Sequence, residues 1–293
     1  MKKFKKFNNQ QILLGMLFII LFLIPAPCSA ISYTFSPIDY PGSFATIAYD
    51  INDRGQIVGT YLDAEGTHGY LFSGGTFSTI DYPGAKDTLS LGINNKGQIV
   101  GTYYSYSGEP HGYLFSGGTF SPIDYPGSWS TFAWGINNKG QIVGIYTDAK
   151  GTPHGYLFLH RTFSHIDYPG SLTTMAFGIN KRRQIVGMYD TGAYLLSDGI
   201  FSTIEKYPGS SMTYSYGIND KGQIVGYYLD EAGLNHGYLL SDETFSTINY
   251  PGSLYTSSFV INKRGQIVGF YGRPPVVPSS QGYLATPQRR HSK

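Results

Sequence analysis

A nine-residue phrase, Thr-Phe-Ser-x-Ile-Asp-Tyr-Pro-Gly, recurs along this chain out of step with the two motifs that accompany it. It starts at Thr34, Thr76, Thr119 and Thr162, returns as Phe201-Ser202-Thr203-Ile204-Glu205-Lys206-Tyr207-Pro208-Gly209, and starts again at Thr244. Between the copies lie six of Ile-Asn-x-x-Gly-Gln-Ile-Val-Gly, with glutamines Gln56, Gln98, Gln141, Gln184, Gln223 and Gln266. Each is followed by a Gly-Tyr-Leu or Ala-Tyr-Leu around Tyr70, Tyr113, Tyr156, Tyr194, Tyr238 and Tyr283. The chain thus opens on the last phrase of a repeat and stops before writing that phrase a final time. An open stack of units needs no such completion, and a ring does.

One unit reads as four strands. In the third, Ser130 to Ile136 alternates small and aromatic residues before Asn137-Asn138-Lys139-Gly140, a strand followed by a type I turn whose Gly supplies positive φ. Gln141 to Tyr146, Gly155 to Phe158 and Thr162 to Ile166 follow as further strands. Strands two to four carry adjacent apolar residues without alternation, which predicts cover on both faces of each sheet. Four short strands repeated six times match the radial plan of a propeller. The expected fold is all-β: a six-bladed β-propeller of four-stranded antiparallel blades over residues 31–285, closed by the N-terminal strand, Thr34 to Ile38, which completes the last blade. A membrane barrel would need strands of about 9 to 11 residues, and a solenoid would need no completing strand.

Residues 1–30 read as a secretory signal peptide: Lys2, Lys3, Lys5 and Lys6 precede an apolar run from Ile12 to Ile24 and a small-residue ending at Ala30. The run is short of the roughly 20 residues that span a bilayer. Cleavage after Ala30 removes the one cysteine, Cys28, and with it any disulfide, thiolate metal site or cysteine nucleophile. It also removes four of 21 Lys+Arg, leaving 17 against 19 Asp+Glu, a formal charge of −2. No nucleic-acid partner and no integral membrane domain are expected after cleavage, and the protein is expected to be secreted, extracellular or periplasmic. Residues 286–293 read as a disordered tail.

The unit Gly-Ile-Asn-x-x-Gly-Gln-Ile-Val-Gly-x-Tyr followed by His-Gly-Tyr-Leu-Phe resembles the HAF-repeat family of bacterial extracellular repeat proteins, over essentially the whole chain after residue 30. The signature positions read His-Gly-Tyr at His68, His111, His154 and His236, Ala193-Tyr194 in the fourth unit and Gln281-Gly282-Tyr283 in the sixth. The resemblance implies secretion and a repeat fold, and no established activity.

Strand order places each of these histidines beside the fourth-strand end of its blade: His68 with Asp81, His111 with Asp124 and His154 with Asp167, while His236 faces Asn249, which still accepts a hydrogen bond but is a poorer metal ligand or catalytic acid. Such dyads serve either as metal or proton-transfer sites or as hydrogen bonds pinning two strands. The fourth unit, which lacks the histidine, reads Glu205-Lys206 in place of the acid, which favours the structural role. Tyr-Pro-Gly reads as a type II turn, and the Thr at the start of each first strand as a satisfier of neighbouring backbone. Arg183 stands where the other units have the turn glycine, so that hairpin is expected to be the least regular.

A ligand without sixfold symmetry is read by residues that break the symmetry. Past Pro-Gly and one small residue comes a freely varying one: Phe44, Lys86, Trp129, Leu172, Ser211 and Leu254. Aromatic side chains there suit sugar rings or a protein partner. Serine-hydrolase, phosphate-loop, zinc-protease and calcium-loop motifs are lacking, and no cofactor or metal is expected. The chain therefore reads as a noncatalytic module binding a glycan or a cell-surface protein. The alternatives are a carbohydrate-active hydrolase or lyase with acids drawn from several blades, and a structural envelope protein.

Overall fold

The third repeat shows how the sequence makes a sheet. Its inner strand Ser130–Ile136 is followed by Ile142–Thr147, Pro153–Leu159 and Thr162–Ile166, each antiparallel to the one before. The first turn is written by Asn137, whose Oδ1 accepts the N–H groups of Lys139 and Gln141 at 3.0 and 3.1 Å. Gly140 N–H closes on the Asn137 carbonyl at 2.9 Å, with φ at 79°, a conformation that favours glycine. The irregular hairpin expected at Arg183 is not found. Arg183 adopts φ 63°, and its N–H still meets the Asn180 carbonyl at 3.0 Å. The turn keeps its shape and the arginine carries the strain.

The glycine of Ile-Val-Gly and the tyrosine of Gly-Tyr-Leu form one device. Gly144 lies opposite Ala133 on one side and Tyr156 on the other, and the Tyr156 hydroxyl reaches across to donate to the Phe132 carbonyl at 3.2 Å. Tyr70, Tyr113 and Tyr194 make the same bond. The glycine leaves the space that the ring fills.

The computed structural model describes residues 31–273 and 280–288; the segment read as a signal peptide lies outside them. Among the described residues there are six four-stranded sheets and no helix. Their inner strands are Ala45–Ile51, Asp87–Ile93, Ser130–Ile136, Thr174–Ile179, Met212–Ile218 and Tyr255–Ile261. The sixth sheet is completed by Tyr33–Ile38, which pairs with Ser280–Pro287 from Tyr33 opposite Pro287 to Ile38 opposite Gly282. The protein is a six-bladed β-propeller closed by its N-terminal strand. Strand pairing continues to Pro287, and Gln288 N–H still bonds the Ser32 carbonyl at 2.9 Å. The tail expected from residue 286 therefore begins no earlier than 289, beyond the described residues.

The core lies between blades. Val100 and Ile123 of the second blade pack with Ala133, Ile136, Ile142 and Tyr156 of the third, and Ile38 and Val268 of the sixth with Ile51, Ile57 and Tyr70 of the first. Second strands are buried almost throughout. The fourth strands depart from expectation: only their terminal isoleucine is buried, because an outermost strand has no neighbouring blade over it.

Two further contacts tie blade to blade. Asn52 Nδ2 donates to the Asn94 carbonyl, Asn94 to Asn137, Asn137 to Asn180, Asn180 to Asn219, Asn219 to Asn262, and Asn262 back to Asn52, at 3.0 to 3.2 Å. This ring of asparagines belts one end of the central channel. Toward the opposite face, the tyrosine of each Tyr-Pro-Gly turn stacks on the tyrosine that follows Ile-Val-Gly in the next blade, as Tyr125 does on Tyr146 with centroids 3.6 Å apart. All six such pairs fall between 3.6 and 3.9 Å.

Candidate functional site

The up-and-down order of the strands gives the disc two unlike faces. Asn turns and the hairpins before the fourth strand occupy one, here the turn face. Tyr-Pro-Gly turns and the longer loops between second and third strands occupy the other, the loop face.

On the loop face, the six varying positions after Pro-Gly stand at the start of the inner strands, around the channel mouth. Their backbone is held: Phe44, Lys86, Trp129, Ser211 and Leu254 N–H groups donate to the end of the adjoining second strand at 2.7 to 3.0 Å, and Leu172 N–H to Asp190 Oδ2 at 2.8 Å. Their side chains are not covered. All six are exposed, Phe44 and Trp129 at 63% and Leu172 at 82%. Tyr106, on the loop that follows the second strand of the second blade, is exposed with them.

The histidines lie farther out on the same face. His68 Nδ1 is 2.9 Å from Asp81, His111 Nδ1 3.1 Å from Asp124, His154 Nδ1 2.8 Å from Asp167, and His236 Nδ1 3.0 Å from the Asn249 amide. Each ring also stacks on a tyrosine, as His154 does on Tyr146 at 5.1 Å. A second acid, which the sequence reads as an ordinary Asp-x-x-Gly turn residue, faces Nε2 in three blades: Asp63 at 3.3 Å, Asp148 at 3.7 Å and Asp230 at 3.0 Å. An imidazole gripped from opposite edges does not converge with its acids on a metal, and no metal-binding group of three occurs among the described residues. Partial burial works against the charged form of His68, but its hydrogen bond to Asp81 and the charges of Asp81 and Asp63 outweigh it and raise its pKa. Blade six lacks the histidine but keeps the acid: Asp39 stands opposite Gln281, and the Arg273 guanidinium lies 5.2 and 5.3 Å from the ring centres of Tyr250 and Tyr271. Burial raises the Asp39 pKa, and the charge of Arg273 opposes the rise.

The pairs are half in water, His154 at 22% and Asp167 at 43% exposed. That lowers the expected cost of breaking one from that of orphaning a buried group to about 1 kcal/mol, the stack included. His154→Ala should lower Tm by about 3 °C; an unchanged Tm in a thermal melt would remove the pinning role.

Through the middle of the disc, the inner strands carry Tyr49, Leu91, Trp134, Phe177, Tyr216 and Phe259 at one level. Their rings meet across the channel: Tyr49 to Phe259 at 5.1 Å, Tyr49 to Trp134 at 5.9 Å, Trp134 to Tyr216 at 6.2 Å. They form a floor that plugs the channel. Between this floor and the asparagine belt lies a cup of about 110 Å³ at the turn face, rimmed by Asp53, Asn95, Asn138, Lys181, Asp220 and Lys263. Trp134, whose ring lines it, has its Nε1–H buried with no acceptor among the described residues.

Asp50 also lines this cup, and the sequence reading passed over it. Its position is glycine in blades two to five and Val260 in blade six, at a bulge where the inner strands crowd: a Cβ on Gly135 would stand 2.4 Å from the Phe177 carbonyl oxygen. Asp50 turns its carboxylate into that seam, accepting Ile51 N–H at 2.6 Å and Ile93 N–H of the next blade at 2.7 Å. No cationic side chain among the described residues forms an ion pair with it. Burial pushes its pKa up to about 7, against the two N–H bonds that favour the charge and with the nearby Asp53 adding to the rise.

No family model matches the chain, and neither does any curated protein. Solved structures do. AofleA from Arthrobotrys oligospora superposes with a TM-score of 0.56 at 13% identity, over 89% of this chain and 87% of that one. TolB from Acinetobacter baumannii gives 0.55 at 17%, over 85% and 65%, and a structure from a study of two prolyl endopeptidases gives 0.51 at 10%, over 83% and 43%. The likeness is one of fold. This propeller spans about two thirds of TolB and under half of the endopeptidase chain.

Proposed function

We propose that this protein is a secreted, noncatalytic binding propeller whose loop face holds a glycan. The observation that carries the reading is where its apolar surface lies. Of the eight large hydrophobic side chains exposed among the described residues, six belong to the loop face: Phe44, Leu62, Tyr106, Trp129, Leu172 and Leu254. Exposed apolar groups gathered on one face mark a binding surface. Three are aromatic, and aromatic faces stack on the C–H faces of sugar rings while hydroxyls and charges at the rim read the sugar's own hydroxyls. The backbone beneath them is already hydrogen-bonded, so little ordering accompanies binding. The repeated histidines, turns and tyrosines are engaged with one another and leave recognition to residues that differ between blades. Secretion rests on the lysine-flanked apolar segment from Ile12 to Ile24 and accords with the resemblance to HAF repeats.

The test is a glycan array probed with the purified protein. Trp129→Ala and Phe44→Ala should each weaken the best-retained glycan at least tenfold, about 1.4 kcal/mol, with Tm unchanged. Retention of no glycan, or equal retention by both variants, overturns the reading. Release of shortened products from polysaccharides would replace it with a hydrolase or lyase, and retention only of protein baits with a protein-docking face.

A further inference from the structure

The cup at the turn face is unlike the loop face in every respect that matters to a ligand. It is small, concave and floored by aromatic rings, and inside the lysine-paired Asp53 and Asp220 of its rim it carries the Asp50 carboxylate, whose charge is answered only by two backbone N–H groups. Each Asp50 oxygen accepts one of those bonds and keeps a lone pair free. Aromatic faces attract cations through their quadrupole, and several rings about one carboxylate form the setting in which organic ammonium groups are recognised. An anion would find one N–H donor there, that of Trp134, against the repulsion of the ring faces and of the Asp50 carboxylate, and a strongly hydrated metal ion would want more oxygen ligands than the Asp50 carboxylate offers. We propose that the cup binds a small organic ammonium ion, its charge against Asp50 and its methyl or methylene groups against Tyr49, Trp134, Phe177, Tyr216 and Phe259.

The other charges about the cup do not compete for that role. Lys263 is paired with Asp53 and Lys181 with Asp220, each at 3.4 Å, at the rim. Burial holds the Tyr49 hydroxyl up to about 12 and that of Tyr216 well above its ordinary range, so neither titrates below pH 9. Asp50 is then the group whose ionisation governs binding, with Asp53 the nearest other acid. Affinity should rise with pH as Asp50 loses its proton.

The chain has two tryptophans: Trp129 on the loop face and Trp134 in the floor. Trp129→Phe leaves Trp134 as sole reporter. In that background, titration with tetramethylammonium chloride at pH 8 should change Trp134 emission saturably, sodium chloride at equal ionic strength should not, and at pH 5 the apparent affinity should be at least tenfold weaker. Adding Asp50→Gly, which restores the residue found in four other blades, should abolish the response while the melting transition persists. No saturable change, an equal response to sodium chloride, or equal affinity at the two pH values overturns the proposal. The two-pH comparison needs no channel variant, so it decides the matter even where Asp50→Gly does not fold.

Discussion

Replacing Gly144 by alanine is expected to destabilise the protein by about 4 kcal/mol, at the severe end of single substitutions. A Cβ there would stand 1.9 Å from the Phe132 carbonyl oxygen and 2.8 Å from carbons of the Tyr156 ring. The first neighbour is backbone and has no rotamer to escape into. Relief requires parting Ser130–Ile136 from Ile142–Thr147 or expelling Tyr156, which is fully buried and bonded to that same carbonyl. Overpacking by one methyl group costs about 1 to 3 kcal/mol, and the lost tyrosine bond adds to it. Gly140→Ala provides the contrast. Its φ of 79° is strained for alanine, but the nearest atom to a new Cβ is 3.9 Å away, so about 1 kcal/mol is expected. Urea unfolding of the two variants distinguishes them, and equal losses would show that the Gly-Tyr device is not what holds the blade.

Asp50→Gly should change how stability depends on pH. In the folded protein this carboxyl titrates at about 7 instead of 3.8. Between those values the folded state holds a proton that the unfolded state has released, so stability falls as pH rises through the window. The full rise corresponds to about 4 kcal/mol, with the opposing hydrogen bonds from Ile51 and Ile93 already included in it. The wild type should thus lose stability between pH 4.5 and pH 8 relative to the variant, whose other titrating groups are the same. Parallel unfolding free energies at the two pH values would mean that Asp50 is not held protonated by the fold.

The blades could be read from the sequence because their chemistry is local: an Asn-x-x-Gly turn and a Pro-Gly turn each lie within one repeat. Closure by the first strand could be read because it is a matter of counting. The asparagine belt and the stacked tyrosines could not, since each joins residues of two successive blades, and local turn chemistry already accounts for an Asn or a Tyr-Pro-Gly in that place. Asp50 left a signal that was open to inspection. Aligned with Gly92, Gly135, Gly178 and Gly217, and with Val260 in the sixth blade, it is a charged residue where four of the other five blades carry no side chain.

Tyr33 lies opposite Pro287, and a Cβ on Gly265, in an Asn turn, would stand 3.4 Å from the Pro287 ring. Both ends of the propeller therefore leave from the turn face. A tether at either end, to a surface or to another domain, orients the disc: the ammonium cup looks back toward the attachment, and Phe44, Tyr106 and Trp129 look outward. The strand that seals the ring also decides which way the molecule faces.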